Sequence, residues 1–237
     1  MTVLGTATLA ELVIEDHRRA PILEGFGLDY CCGGQQSLAD AVSVTGLDLA
    51  DVQQALELPT QAESTESTSR ENAELAHDIL DTHHAYMWEE MPRLLALVQK
   101  VHGVHGERHL ELAEVLEIFT TAVGELEPHM TKEERSVFPS INRLERTGQW
   151  SASSPLADQV ADLVDEHEAV GALFKRLNQV TENYAVPADA CGPYRAMLEG
   201  LKRMELDLHE HIHKENNILF PGALALLDKT AKGAGNE

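Results

Sequence analysis

Basic residues are scarce. Lys and Arg number 18 against 40 Asp and Glu, for a formal charge of −22. A surface so acidic repels a phosphate backbone, which argues against nucleic acid as a partner. No apolar run reaches the ~18 residues that a membrane-spanning helix needs, so no membrane partner is expected. The N-terminus, MTVLGTATLAELVIEDHRR, lacks the basic start, apolar stretch and cleavage site of a signal peptide. Cysteines number three, and two are neighbours, which is no disulfide framework and points to a reducing cytoplasm. Aromatics make up only 5%. The dominance of Ala, Leu, Glu and Val favours helices over sheets.

The 237 residues are 43% hydrophobic, enough to bury a sizeable core. Residues 59–70, PTQAESTESTSR, carry no large apolar side chain and read as a linker. It separates a small N-terminal helical domain, 1–58, from a larger part, 71–229, with 230–237 as a flexible tail. In the small domain, Thr8, Ser37 and Asp48 are placed to cap short helices, and Gly46 to stop one. Such a short piece is expected to lean on the larger part or on a second copy of the chain as a homodimer. The larger part predicts four long amphipathic helices, about 71–101, 108–146, 155–183 and 190–228, joined by short connections. That pattern favours an antiparallel four-helix bundle, so the fold class is all-α. Pro92, Pro139 and Pro221 should kink or end helices.

The chain repeats itself. HMTKEERSVFP at 129–139 and HIHKENNILFP at 211–221 share H-x-x-K-E-x-x-x-[VL]-F-P at an offset of 82 residues. A His-bearing helix precedes each copy: His84 lies 45 residues before His129, and His167 lies 44 before His211. Positions i and i+4 share a helix face, about 5–6 Å apart at Cβ. His129 with Glu133, and His211 with Glu215, can therefore both point inward, joined by His84 and His167. Four imidazoles and two carboxylates suit a pair of first-row metals, with the carboxylates bridging. Nitrogen-rich, oxygen-bridged coordination favours two oxo-bridged iron ions; ligand types alone also admit manganese or zinc. A lone His-x-x-x-Glu is usually a surface pair, but two copies inside a longer shared pattern are not. His83, His209 and His213 fall on other faces. His17, His77, His102 and His109 have no repeat partner and are expected in solvent.

DYCCGG, residues 29–34, places Cys31 beside Cys32, where an ordinary disulfide is awkward. Gly33 and Gly34 should leave both thiols accessible. The pair reads either as a redox or metal-holding device or as two small apolar residues. Cys191, in ADACGPY, reads as incidental.

Together, DYCCGGQQSL, the two HxxKE…FP copies and SPLADQVADLVDEHEAVG closely resemble the repair-of-iron-centres family over nearly the whole chain. The resemblance implies a hemerythrin-like bundle with a non-haem di-iron site on His84, His129, Glu133, His167, His211 and Glu215. It also implies a redox or iron-relay role for Cys31 and Cys32. The function it implies is repair of iron–sulfur clusters damaged by nitrosative or oxidative stress, by donating iron, with damaged iron–sulfur proteins as clients. Two rival readings share the site and its small diatomic or peroxide ligand. One is an oxidoreductase acting on nitric oxide, nitrite or peroxide; the other is a carrier or sensor of oxygen or nitric oxide. Oxygen-carrying hemerythrins use an additional His, and no fifth inward His is evident here.

Overall fold

The computed structural model describes residues 4–58, 71–150, 152 and 154–234. The expected linker at 59–70 and the last three residues of the expected tail lie outside them. Every regular element among the described residues is helical, with no strand among them. The small domain holds α1 (Leu9–Glu15), a single 3₁₀ turn (His17–Arg19), α2 (Ala20–Gly25), α3 (Leu38–Thr45) and α4 (Leu49–Leu56). Its helix starts follow local chemistry. Thr8 and Glu11 form a reciprocal capping box. Ser37 accepts from the Asp40 N–H, and Asp48 from those of Ala50 and Asp51. Each cap satisfies backbone donors that the first turn leaves open, worth ~1 kcal/mol. Gly46 ends α3 at φ 73°, a left-handed conformation that glycine takes without strain. Leu9, Leu12, Leu23, Leu38, Val52 and Leu56 form this domain's own core.

The rest forms four rods. The first is α5 (Asn72–Ile79), a π-helical turn (Leu80–His84) and α6 (Ala85–His105). The second is α7 (Glu111–Lys132), a π-helical turn (Glu133–Val137) and α8 (Phe138–Thr147). The third, α9 (Leu156–Val180), is regular, and the fourth is α10 (Gly192–Lys214), a π-helical turn (Glu215–Leu219) and α11 (Phe220–Ala234). Rods pack in a closed ring, α6 on α7, α7 on α9, α9 on α10 and α10 on α6.

Some expectations need correction. The last helix runs to Ala234, so 230–234 continue the rod rather than starting a tail. The third rod stops at Val180, three residues early, because Glu182, Asn183 and Tyr184 turn left-handed. None of the three prolines ends a rod. Pro92 lies inside α6, and Pro139 and Pro221 open α8 and α11 just after a π-helical turn. Proline has no N–H to return to the preceding turn. Its place just after two of the three wide turns suits a helix already shifted out of α register.

Two apolar cores fill the bundle, with a polar layer between them. Met87, Met130, Val170, Leu208 and Ile212 belong to one core. Ile79, Val137, Leu163 and Leu219 belong to the other. On every rod the switch between cores falls at the candidate ligands.

Candidate metal centre

The structure brings all six candidate residues together, and all six are buried. They form two sets: His84, His211, Glu133 and Glu215, and His129, His167, Glu133 and Glu215, each with ligand atoms within 4.8 Å of one another. Both sets share the two glutamates. Each pair of imidazoles comes from different hairpins, His84 with His211 at 3.1 Å and His129 with His167 at 2.9 Å between Nε2 atoms.

The donor set can be tested for its fit to metal. Glu133 Oε1 and Oε2 and Glu215 Oε2 are buried without a hydrogen-bond partner. Yet Glu133 Oε2 lies 3.4 Å from Nε2 of both His84 and His129, and Glu215 Oε2 lies 3.1 Å from Nε2 of His167. The atoms are close but poorly aligned for hydrogen bonds, as expected of lone pairs aimed at shared points between them. Buried carboxylates left in this state are costly unless a cation satisfies them. The residues therefore fit a pair of metal ions.

The backs of the imidazoles are held in turn. His84 Nδ1 lies 3.0 Å from Glu134 Oε1, which also accepts from Trp88 Nε1. His129 Nδ1 lies 2.7 Å from Glu166 Oε2, and Lys132 Nζ donates to the other oxygen of Glu166. His167 Nδ1 lies 2.8 Å from Asn216 Oδ1. Acceptors on Nδ1 orient a ring and raise its basicity as a ligand. Phe138 packs on the His84 ring and Phe220 on that of His167, which gives the Phe of each repeat copy its task. Sequence reasoning missed Glu134, Glu166 and Asn216. A signal existed for two of them. Glu134 and Asn216 follow the candidate glutamates Glu133 and Glu215 at equivalent positions, but they differ in type and so dropped out of the identity pattern.

In the metal-free protein, burial opposes charging His84, but Glu133 and Glu215 outweigh it and raise its pKa to about 10. His167 is raised to about 9 against burial, chiefly by Glu215. Burial instead lowers His211. Burial also opposes ionising Glu215, yet His211, His167 and His84 hold its carboxyl well below the usual range. Hydrogen bonding to His129 leads the effects that hold Glu166 at about 2. The two raised histidines give stability that is fully present below their ordinary value of 6.5 and lost as pH rises through about 9 to 10. His211 acts in the opposite sense on the acid side. Thermal unfolding of the metal-free protein should therefore show a falling Tm across that alkaline range. With metal bound, ions replace the protons and the fall should vanish. A flat metal-free profile would contradict this.

Other histidines go elsewhere. His209 and His213 leave the cluster, as their faces require, and meet the small domain. His209 pairs with Glu24, and His213 Nδ1 lies 3.3 Å from the Tyr30 carbonyl oxygen. His83 also leaves the cluster but is buried against Asp207 and Lys214. His109 is shielded too, between Glu111 and Asp189. No fifth His joins the sets among the described residues. A cavity of about 440 Å³ lined by Glu111, Val115, Tyr194 and Leu198 lies several turns away along α7 and touches none of the six.

The cysteine pair sits on the bundle. Asn217, two residues after Glu215, donates to the carbonyls of Tyr30 and Cys31 and accepts from Gln35. Asp29 Oδ1 accepts from the N–H groups of Cys31 and Cys32 and lies 3.1 Å from Cys31 Sγ. The two sulfurs are 3.9 Å apart, and both thiols are free. One expectation fails: only Cys32 is accessible, because Cys31 is buried in the bundle's core. The adjoining Cys32 thiol, burial and Asp29 push the Cys31 thiol well above its usual range. Asp29, Cys31 and Cys32 converge closely enough to hold a cation. Cys191, expected to be incidental, lies 3.0 Å from His105 Nε2.

Comparison with known proteins follows these divisions. The model of the hemerythrin HHE cation binding domain matches residues 75–223, a span containing all six cluster residues. The model of a domain of unknown function, DUF542 (ScdA_N), matches 5–59, which includes both neighbouring cysteines. A relative from Yersinia pestis (strain Pestoides F), named iron-sulfur cluster repair protein YtfE, is 36% identical over 224 residues, covering 92% of this chain and 96% of its own. The protein of the same name from Yersinia pseudotuberculosis serotype IB (strain PB1/+) is 35% identical over the same shares. No helix among the described residues is long and apolar enough to cross a membrane.

Proposed function

This chain belongs to the hemerythrin-domain family of iron–sulfur cluster repair proteins, and from that premise we propose that it restores damaged clusters by delivering iron from a two-ion site. The observation that carries the proposal is the pair of overlapping buried sets that share Glu133 and Glu215. His84 and His211 would hold one iron, His129 and His167 the other, and the two glutamates would bridge them. Iron bound there supplies redox activity and Lewis acidity, and it is also the cargo. Apolar cores on both sides of the layer keep bulk water from the ligands. The thiol pair would act as the relay. It docks on the rod that carries Glu215, and Asp29 adds a carboxylate beside its sulfurs. Cation binding there would deprotonate the Cys31 thiol, which the adjoining Cys32 thiol and burial keep protonated. The clients would be cytoplasmic iron–sulfur proteins damaged by nitric oxide or peroxide. The relatives are named for repair, which favours this reading over a gas reductase or an oxygen carrier.

The test uses a [4Fe–4S] dehydratase inactivated by peroxide. The iron-loaded protein should restore its activity faster than the same amount of free ferrous iron under identical reductant. Equal recovery from both sources would sink the proposal.

A further inference from the structure

The two hairpins follow one plan, and the plan fails at one place. In each hairpin the residue after the ligating glutamate holds the first-rod His: Glu134 on His84, Asn216 on His167. In each, the residue before the first-rod His lies against the other His of the same metal position. Before His167 that residue is Glu166, which accepts from His129 Nδ1 and is held by Lys132. Before His84 it is His83. Its ring stacks on His211, with centroids 5.5 Å apart and planes 3° from parallel. Lys214, the repeat equivalent of Lys132, lies with Nζ 2.9 Å from His83 Nε2. An ammonium only donates, so Nε2 accepts and the ring proton sits on Nδ1, facing Asp207. His83 therefore has nothing to offer His211, whose Nδ1 is buried without a hydrogen-bond partner.

The position between His129 and His167 thus has both imidazoles braced, one by a carboxylate and one by an amide. The position between His84 and His211 has one brace. A His bound to metal through Nε2 carries its proton on Nδ1. Without an acceptor there, the ring is a weaker base and is less fixed in orientation. Loss of such a partner typically weakens metal binding by about 10–100-fold.

We propose that the two metal positions are unequal by construction, and that the ion between His84 and His211 is the one released to an acceptor while the other is retained. This deepens the iron-donation reading above and rests on it. The retained ion keeps Glu133 and Glu215 ionised and in place, so the emptied position can be refilled.

The test follows release of iron from the ferrous protein to an excess of ferrous chelator under anaerobic conditions. Iron content is measured first, and fewer than two ions per chain would count against the two-ion reading itself. With two ions present, release should be biphasic in equal halves, with rates about 10–100-fold apart. His83→Glu gives this position the carboxylate that Glu166 supplies opposite His129 and should slow the fast half towards the slow one. Glu166→Ala removes the brace from His129 and should speed the slow half. Glu166 is partly exposed, so this variant keeps the test decisive if His83→Glu does not fold. Protein loaded with a single equivalent should show its ion between His129 and His167 by anomalous diffraction. Release of both ions in one phase would overturn the proposal. So would a slow half that ignores Glu166→Ala, or a single equivalent found between His84 and His211.

Discussion

Glu215→Leu should strip both metal positions at once, and Glu133→Leu should do the same. Each carboxylate belongs to both four-residue sets. Its loss takes a direct ligand from both ions, which should exceed the ~100-fold upper range seen when only an outer partner is lost. A histidine belongs to one set only. His167→Ala or His84→Ala should therefore leave about one ion per chain, on the opposite pair of imidazoles. Metal analysis of the purified variants distinguishes the two classes. A glutamate variant that keeps one ion would end the bridging assignment, because it would place that carboxylate on a single metal. Leu fills the vacated volume with apolar surface, and the layer lies between two apolar cores. The variants should accordingly stay helical by circular dichroism, which separates metal loss from unfolding.

Replacing both Cys31 and Cys32 by Ser should leave the iron content and optical spectrum of the bundle unchanged while cutting repair of a damaged cluster by at least about tenfold. The size follows from the chemistry: a thiolate is a soft, strong ligand and nucleophile, and a serine hydroxyl is neither at neutral pH. A quieter variant tests placement rather than sulfur. A Cβ on Gly34 would meet the Tyr30 carbonyl oxygen at 2.5 Å and Asn217 Oδ1 at 2.9 Å. Gly34→Ala should lift the loop from Asn217 with both thiols intact, and repair should fall in parallel. Full repair by the double Ser variant would remove the thiols from the mechanism. Full repair by Gly34→Ala alone would show that the thiols act without this docking.

Much of this was written locally. The caps at Thr8, Ser37 and Asp48 were legible because a cap depends on two or three neighbouring residues. The inward faces of His129–Glu133 and His211–Glu215 were legible because i and i+4 share a face whatever the rest of the chain does. Other features depend on distant residues. The contact of Cys191 with His105 spans 86 positions, and nothing near either residue signals it. Cys31 looked accessible from its flanking glycines, but the bundle supplies the surface that buries it. His83 was placed on another face correctly, yet its burial depends on Asp207 and Lys214 from the fourth rod.

The spacing to the repeat put His84 rather than His83 in the cluster, although the local match points the other way. LDTHHA at 80–85 and VDEHEA at 164–169 match best with His83 opposite His167. A π-helical turn at Leu80–His84 adds one residue to the first rod, while α9 has none, and it is His84 that reaches the cluster.

The sequence by itself determined the candidate His and Glu set and the two-hairpin plan, because helical periodicity and the repeat are properties of the chain alone. Tertiary packing decided which imidazoles pair across hairpins and that both glutamates are shared. It also decided that His211 alone among the four lacks a brace, because these depend on how separate rods meet in space.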